Sequence, residues 1–170
     1  MSQVQSAALP PEALLAQYQD QGYVDCFTID LARSVSLGDF IRAFYSTPLF
    51  RAERLVLRWA FAAPSCDQEL AELAANQRET FAVWHVEARE DNQILLRDFS
   101  SRTRSWLSVV ADGEASALYF GSAVVAERRR PGSGIVSNGP LLAAHRVYAR
   151  ALLRAAARRL ASRDSHQNQA

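Results

Sequence analysis

The stretch that most constrains this fold is the run from Pro140 to about Arg163. Beyond Pro140 it has no Gly or Pro, and Ala, Leu and Arg dominate it, so residue preference and pattern agree on one long helix. At about 3.6 residues per turn, Leu141, His145, Tyr148, Leu152, Ala155, Ala156 and Arg159 share one face. Arg146, Arg150, Arg154 and Arg158 share the opposite face. A helix this long with one apolar stripe must lie on a broad surface. His145, with Tyr148 a turn further on, is the polar exception on the face that should be buried.

The rest of the chain supplies that surface. From Glu79 the hydrophobic period changes to two, and Glu79–Arg89, Gln93–Ser100, Arg102–Ala111 and Ala115–Glu127 read as four strands. Short turns at Asp91-Asn92, Ser100-Ser101 and Asp112-Gly113 make them an antiparallel meander. Tyr23–Ile29 alternates and carries β-formers, so it reads as a first strand. Three helices are expected between it and the meander. Ser36 to Asp39 is a capping box opening the first, with Leu37, Phe40, Ile41, Phe44 and Tyr45 apolar. Thr47-Pro48 opens the second, running to about Phe61 with Leu49, Ala52, Leu55, Val56 and Trp59 inward. Ser65 with Gln68 opens a short third, carrying Leu70, Leu73 and Ala74.

The division follows. Residues 1–22 are a loose tail and a short helix after Pro10-Pro11; residues 23–163 form one domain; residues 164–170 are a disordered tail. Arg128–Gly139 is a loop leading into the last helix. The expected fold is α+β: a curled antiparallel sheet of about five or more strands gripping the C-terminal helix, with short helices between the first strand and the meander. Aromatic residues occur on both strand parities (Phe81 beside Trp84, Tyr119 beside Phe120), so a second subunit covering the other sheet face, as a homodimer, is a further expectation.

Composition removes several function classes. A chain of 170 residues fits one domain and buries on the order of 70% of its unfolded surface without staples. Its net charge of +1 gives no general pull towards nucleic acid or anionic membrane, and neither is an expected partner. No run approaches the roughly 18 apolar residues of a membrane span, and Met1 to Pro11 lacks the pattern of a secretory signal. Cys26 and Cys66 lack metal-ligand spacing, so no metal is expected, and a cytoplasmic protein with free thiols is the reading. There is no P-loop, dinucleotide Gly pattern, HExxH or nucleophile elbow, and no cofactor is expected.

Several segments together resemble a known superfamily. They are Tyr23-Val24-Asp25-Cys26-Phe27, Leu96-Arg97-Asp98, Ser105-Trp106-Leu107-Ser108-Val109, and Pro140-Leu141-Leu142-Ala143-Ala144-His145-Arg146 running into an Arg- and Leu-rich helix. In that order, over roughly residues 20–160, they resemble the START-like (SRPBCC) helix-grip superfamily, and within it a bacterial domain of unknown function. Relatives often carry a His between Asp98 and Ser105, where this chain has Arg102 and Arg104. The resemblance implies a cavity between sheet and long helix that holds a small apolar or amphipathic ligand. It does not imply a shared reaction.

The candidate site residues are Trp84, Asp98, Arg104, Trp106, Tyr119, His145 and Tyr148. His145 with Tyr148 can line a pocket and exchange protons near neutral pH; the plainer alternative is a core His bonded to Asp98 or Asp25. Asp98 and Arg104 face each other if their turn is centred on Ser100-Ser101, and Arg104 then clamps an anion at a cavity mouth or forms a cross-strand ion pair. Trp84, Trp106 and Tyr119 shape a pocket or fill the core. The Arg stripe, with Arg128-Arg129-Arg130, binds an acidic partner or nucleic acid, or is a solvated helix face. Three functions stay open: a non-catalytic binder of a small ligand; a cyclase- or dehydratase-like enzyme using His145 with Asp98 or Tyr148; and an interaction or scaffold protein whose cavity is filled by its own side chains.

Overall fold

A computed structural model describes residues 3–50, 66–125 and 139–162. In chain order these are β1 (Gln5–Ser6), a 3-10 helix (Leu14–Tyr18), β2 (Gly22–Leu31), α1 (Leu37–Tyr45), α2 (Asp67–Ala74), β3 (Thr80–Phe81), β4 (Trp84–Arg89), β5 (Gln93–Asp98), β6 (Thr103–Asp112), β7 (Ala115–Val125) and α3 (Gly139–Ser162). The strands form one antiparallel, curled and unclosed sheet in the order β1-β2-β7-β6-β5-β4-β3. The expected α+β architecture, with its meander and long last helix, is present.

The local signals work as their chemistry predicts. Ser36 Oγ accepts from the Asp39 amide at 3.1 Å and donates to Asp39 Oδ2 at 2.7 Å, closing the N-terminus of α1. Leu37, Phe40, Ile41, Phe44 and Tyr45 are all buried. Thr47 Oγ1 accepts from the Phe50 amide at 3.2 Å, which caps a helical turn beginning at Pro48. Gly38 has a packing reason: a Cβ there would come within 2.9 Å of the Ala74 carbonyl oxygen, so α1 and α2 approach through it.

Between the sheet and the helices lies the main core. Phe27, Ile29, Phe120, Leu118 and Leu107 point up from the sheet, Phe40, Phe44 and Tyr45 come from α1, and Leu152, Leu153, Ala156 and Leu160 come from α3. The rings interlock: Phe44 lies 4.8 Å from Phe120 and 5.2 Å from Tyr45. On α3 the buried positions are Ala149, Leu152, Leu153, Ala156, Ala157 and Leu160, while Ala155 and Arg159 sit at the margin. The buried face is thus turned towards Ala149, Leu153 and Ala157 relative to the periodicity, because α3 packs on α1 as well as on β2.

The opposite sheet face is covered by the chain's own N-terminal segment. Ala13, Leu15 and Tyr18 pack on Cys26, Leu95, Trp106 and Ala123. Gln93, only 3% exposed, fastens this cover. Its Oε1 accepts from the Leu14 amide at 2.9 Å and from Trp106 Nε1 at 2.8 Å, and its Nε2 donates to the Glu12 carbonyl and to Glu90.

Several expectations need correction. Residues 1–9 are not wholly a loose tail: Gln5 and Ser6 pair with Thr28 and Phe27 at the sheet edge. The strand read as Glu79–Arg89 is a hairpin, with Phe81 opposite Trp84 across Ala82-Val83 and Ala82 at φ 53°. Leu49 is 39% exposed and Phe50 only 3%, so the inward position there is Phe50. The third helix is capped at Cys66, whose amide donates to Glu69 Oε2 at 3.1 Å. Ser65, the remainder of the second helix, the Arg128-Arg129-Arg130 loop, the Leu141 side chain and the last eight residues lie outside the described residues.

Candidate functional site

His145 is held over the β2–β7 pair. Asp25 on β2 lies directly across from Ser122 on β7, and both point to the helix-covered face. Ser122 Oγ is 2.6 Å from Asp25 Oδ1 and 2.8 Å from His145 Nε2. Nε2 also lies 3.5 Å from Asp25 Oδ2. The Tyr23 hydroxyl donates to the same Oδ2 at 3.0 Å.

The protons in this cluster can be assigned by counting. An ionised carboxylate only accepts, and a serine hydroxyl has one proton. Ser122 therefore donates to Asp25, and its oxygen must accept from His145, which fixes a proton on Nε2. Burial pushes the Asp25 carboxyl upward. Hydrogen bonds from His145 and Ser122, the His145 charge and the Tyr23 hydroxyl outweigh it and hold the carboxyl below its usual value of 3.8. Burial, together with the Asp25 charge, pushes Tyr23 up to about 12. In a nucleophilic Ser–His pair, the imidazole accepts the serine proton. Here the order runs the other way, so Ser122 is not activated. What the cluster does is fasten the start of α3 to the sheet.

Apart from Tyr148, a turn further along α3, the other expected site residues do not gather around His145. Tyr148 packs against the main core on α3, and Trp84 packs against that core from β4. Arg104, Trp106 and Tyr119 lie on the opposite sheet face, where the Trp106 and Tyr119 rings are 6.2 Å apart under the 3-10 helix. Arg104 does not face Asp98: the register pairs it with Arg97, and Asp98 with Trp84. Arg104 Nε instead meets Glu87 Oε2 at 2.6 Å, its guanidinium lies 4.7 Å from the centre of the Tyr18 ring, and Tyr18 donates to Glu87. Asp98 organises its own turn, with Oδ1 accepting from the Arg102 amide at 2.9 Å and the Thr103 amide at 3.0 Å.

Sequence reasoning reached Asp25 as a partner for His145 but not Ser122, Tyr23, Gln93 or Glu87. For Ser122 a signal existed. Pairing β2 with β7 so that both apolar faces point inward puts residues 25 and 122 on the same, helix-covered face. The sequence does not say that the first and last strands are neighbours.

Among the described residues, open grooves lie outside the packed core. One, of about 610 Å³, opens where β1 peels away from β2 and is lined by Ser6, Leu9, Tyr23, Asp25 and Arg146 among others. The second, of about 580 Å³, runs along α3 beside Val4. Among the described residues no group of His, Cys, Asp and Glu is placed to hold a metal, and no helix is long and apolar enough to cross a membrane. Compared with protein-family models, curated proteins and solved structures, the chain matches none.

Proposed function

We propose that this protein is a cytoplasmic, non-catalytic interaction module: a START-like helix-grip fold whose interior is closed by its own side chains. The observation that carries this reading is the packing under α3. Phe27, Phe40, Phe44, Tyr45 and Phe120 are each no more than 6% exposed and sit where a ligand-binding relative would need space. The proton order in the Asp25–Ser122–His145 cluster supports it too, because an imidazole that donates to serine is not a base for that serine. Function then resides on the outer surface.

Native mass spectrometry of the protein purified at its natural abundance from its own host tests this. The expected result is the 18.9 kDa chain with a protein partner and no retained small molecule. A small molecule held in stoichiometric amount would overturn the reading.

A further inference from the structure

Positive charge is segregated onto one element. α3 carries Arg146, Arg150, Arg154, Arg158 and Arg159 and no Asp or Glu, in a chain whose net charge is only +1. The rest of the chain is therefore net acidic. Down the exposed side of α3 run two parallel rows. Val147 (69% exposed), Ala151 and Ala155 make a shallow apolar valley, and Arg150, Arg154 and Arg158 make the ridge beside it. With Val4 these residues line the groove of about 580 Å³.

The groove is partly preorganised. Arg150 is fixed from below, its Nη2 donating to Ser6 Oγ at 2.8 Å and its guanidinium 5.2 Å from the centre of the Phe27 ring. Arg154 and Arg158 are exposed, and among the described residues neither meets a carboxylate. A valley and a ridge at four-residue spacing are the complement of the four-residue ridge of another helix. Two alanines in the valley floor let that helix come close. A row of fork-shaped guanidiniums beside it suits carboxylates.

Resting on the interaction-module reading, we propose that this groove docks an amphipathic helix of a partner protein. That helix carries large apolar residues at four-residue spacing in the valley, with Asp or Glu along the side facing Arg150, Arg154 and Arg158. Phosphate backbones fit less well, because the valley is apolar and offers no aromatic platform for bases.

The test uses the full chain and a stapled helical probe peptide with Leu at every fourth position and a flanking row of Glu, read by fluorescence anisotropy. Binding tighter than about 100 µM is expected, weakening as salt rises. Arg154→Glu and Ala151→Glu should each weaken it at least about 10-fold while moving the thermal midpoint by no more than about 2 °C, as exposed substitutions do. The same peptide with Lys for Glu should not bind. Four results would overturn the proposal: no binding of the acidic peptide, equal binding of the Lys peptide, tighter binding of duplex DNA or anionic phospholipid vesicles that the same variants abolish, or a dimer of the chain alone that the variants dissolve. A natural partner whose binding ignores both variants would sink this groove but leave the module reading standing, whereas a retained small molecule would sink the module reading.

Discussion

Replacing Asp25 by Ala should be among the most damaging polar substitutions at the described residues. The carboxylate, with 7% of its side chain exposed, accepts from Ser122 and Tyr23 and lies 3.5 Å from the His145 ring as its charge partner. Its loss orphans two donors and removes the charge partner of His145. Ser122 is only 3% exposed, so it bears a desolvation penalty of about 1–3 kcal/mol. Tyr23 and His145 are half-buried and recover part of their bonding from solvent, leaving about 0.5–1 kcal/mol each. The sum, about 2–5 kcal/mol, is a large share of the roughly 5–15 kcal/mol that holds a typical domain. Urea unfolding at pH 7 measures it. Asp25→Asn, which keeps one acceptor, should cost about half as much. Adding Ser122→Ala to Asp25→Ala should cost almost nothing more, because the orphaned hydroxyl has gone. The acid limb gives a separate check. Because the Asp25 carboxyl is held below 3.8 in the folded chain, its contribution is complete above about pH 4 and is lost as pH falls through the folded value, a loss the Ala variant should not show. A cost for Asp25→Ala below about 1 kcal/mol, or independent costs for Asp25 and Ser122, would refute the account of the cluster.

Three further outcomes follow from the same structure. Gln93→Leu removes the donors and acceptors that tie Leu14, Glu12 and Trp106 together; it should cost about 2–4 kcal/mol and speed hydrogen exchange at the Leu14 amide. Cys66 is exposed and Cys26 buried, and burial pushes the Cys26 thiol up to about 12. A thiol reagent should therefore modify Cys66 in the native protein and Cys26 only in denaturant. In alkali, folded Cys26 and Tyr23 keep their protons to about 12, while unfolded they release them near 9.0 and 10.0. The folded state then holds more protons, so urea midpoints should fall as pH rises from about 9 towards 12.

Much of this architecture was legible in the sequence because it rests on local chemistry. Ser36 announces α1, Thr47-Pro48 the next helical turn, and the period-two stretch from Glu79 the meander. The β3–β4 hairpin was not legible, since Ala82 takes a positive φ without the Gly or Asn that normally marks such a turn. Nor was β1, where Gln5 and Ser6 pair at an edge with no alternation to show it. Half of the His145 environment could be read: Asp25 shares a strand face with Tyr23, but Ser122 joins them only through the β2–β7 pairing, a long-range choice that no local pattern encodes. Arg104 went astray for a related reason. Its nearest carboxylate by turn geometry is Asp98, yet that side chain is consumed by backbone amides of the turn, and Glu87 takes its place.

The central claim is that the space between sheet and α3 is packed solid, and Phe44→Ala tests it most directly. Phe44 is 1% exposed and meets Phe40, Tyr45 and Phe120. A filled core predicts a loss of about 3–5 kcal/mol in unfolding free energy. A loss below about 1 kcal/mol would mean that the ring borders an existing void, and would contradict the account.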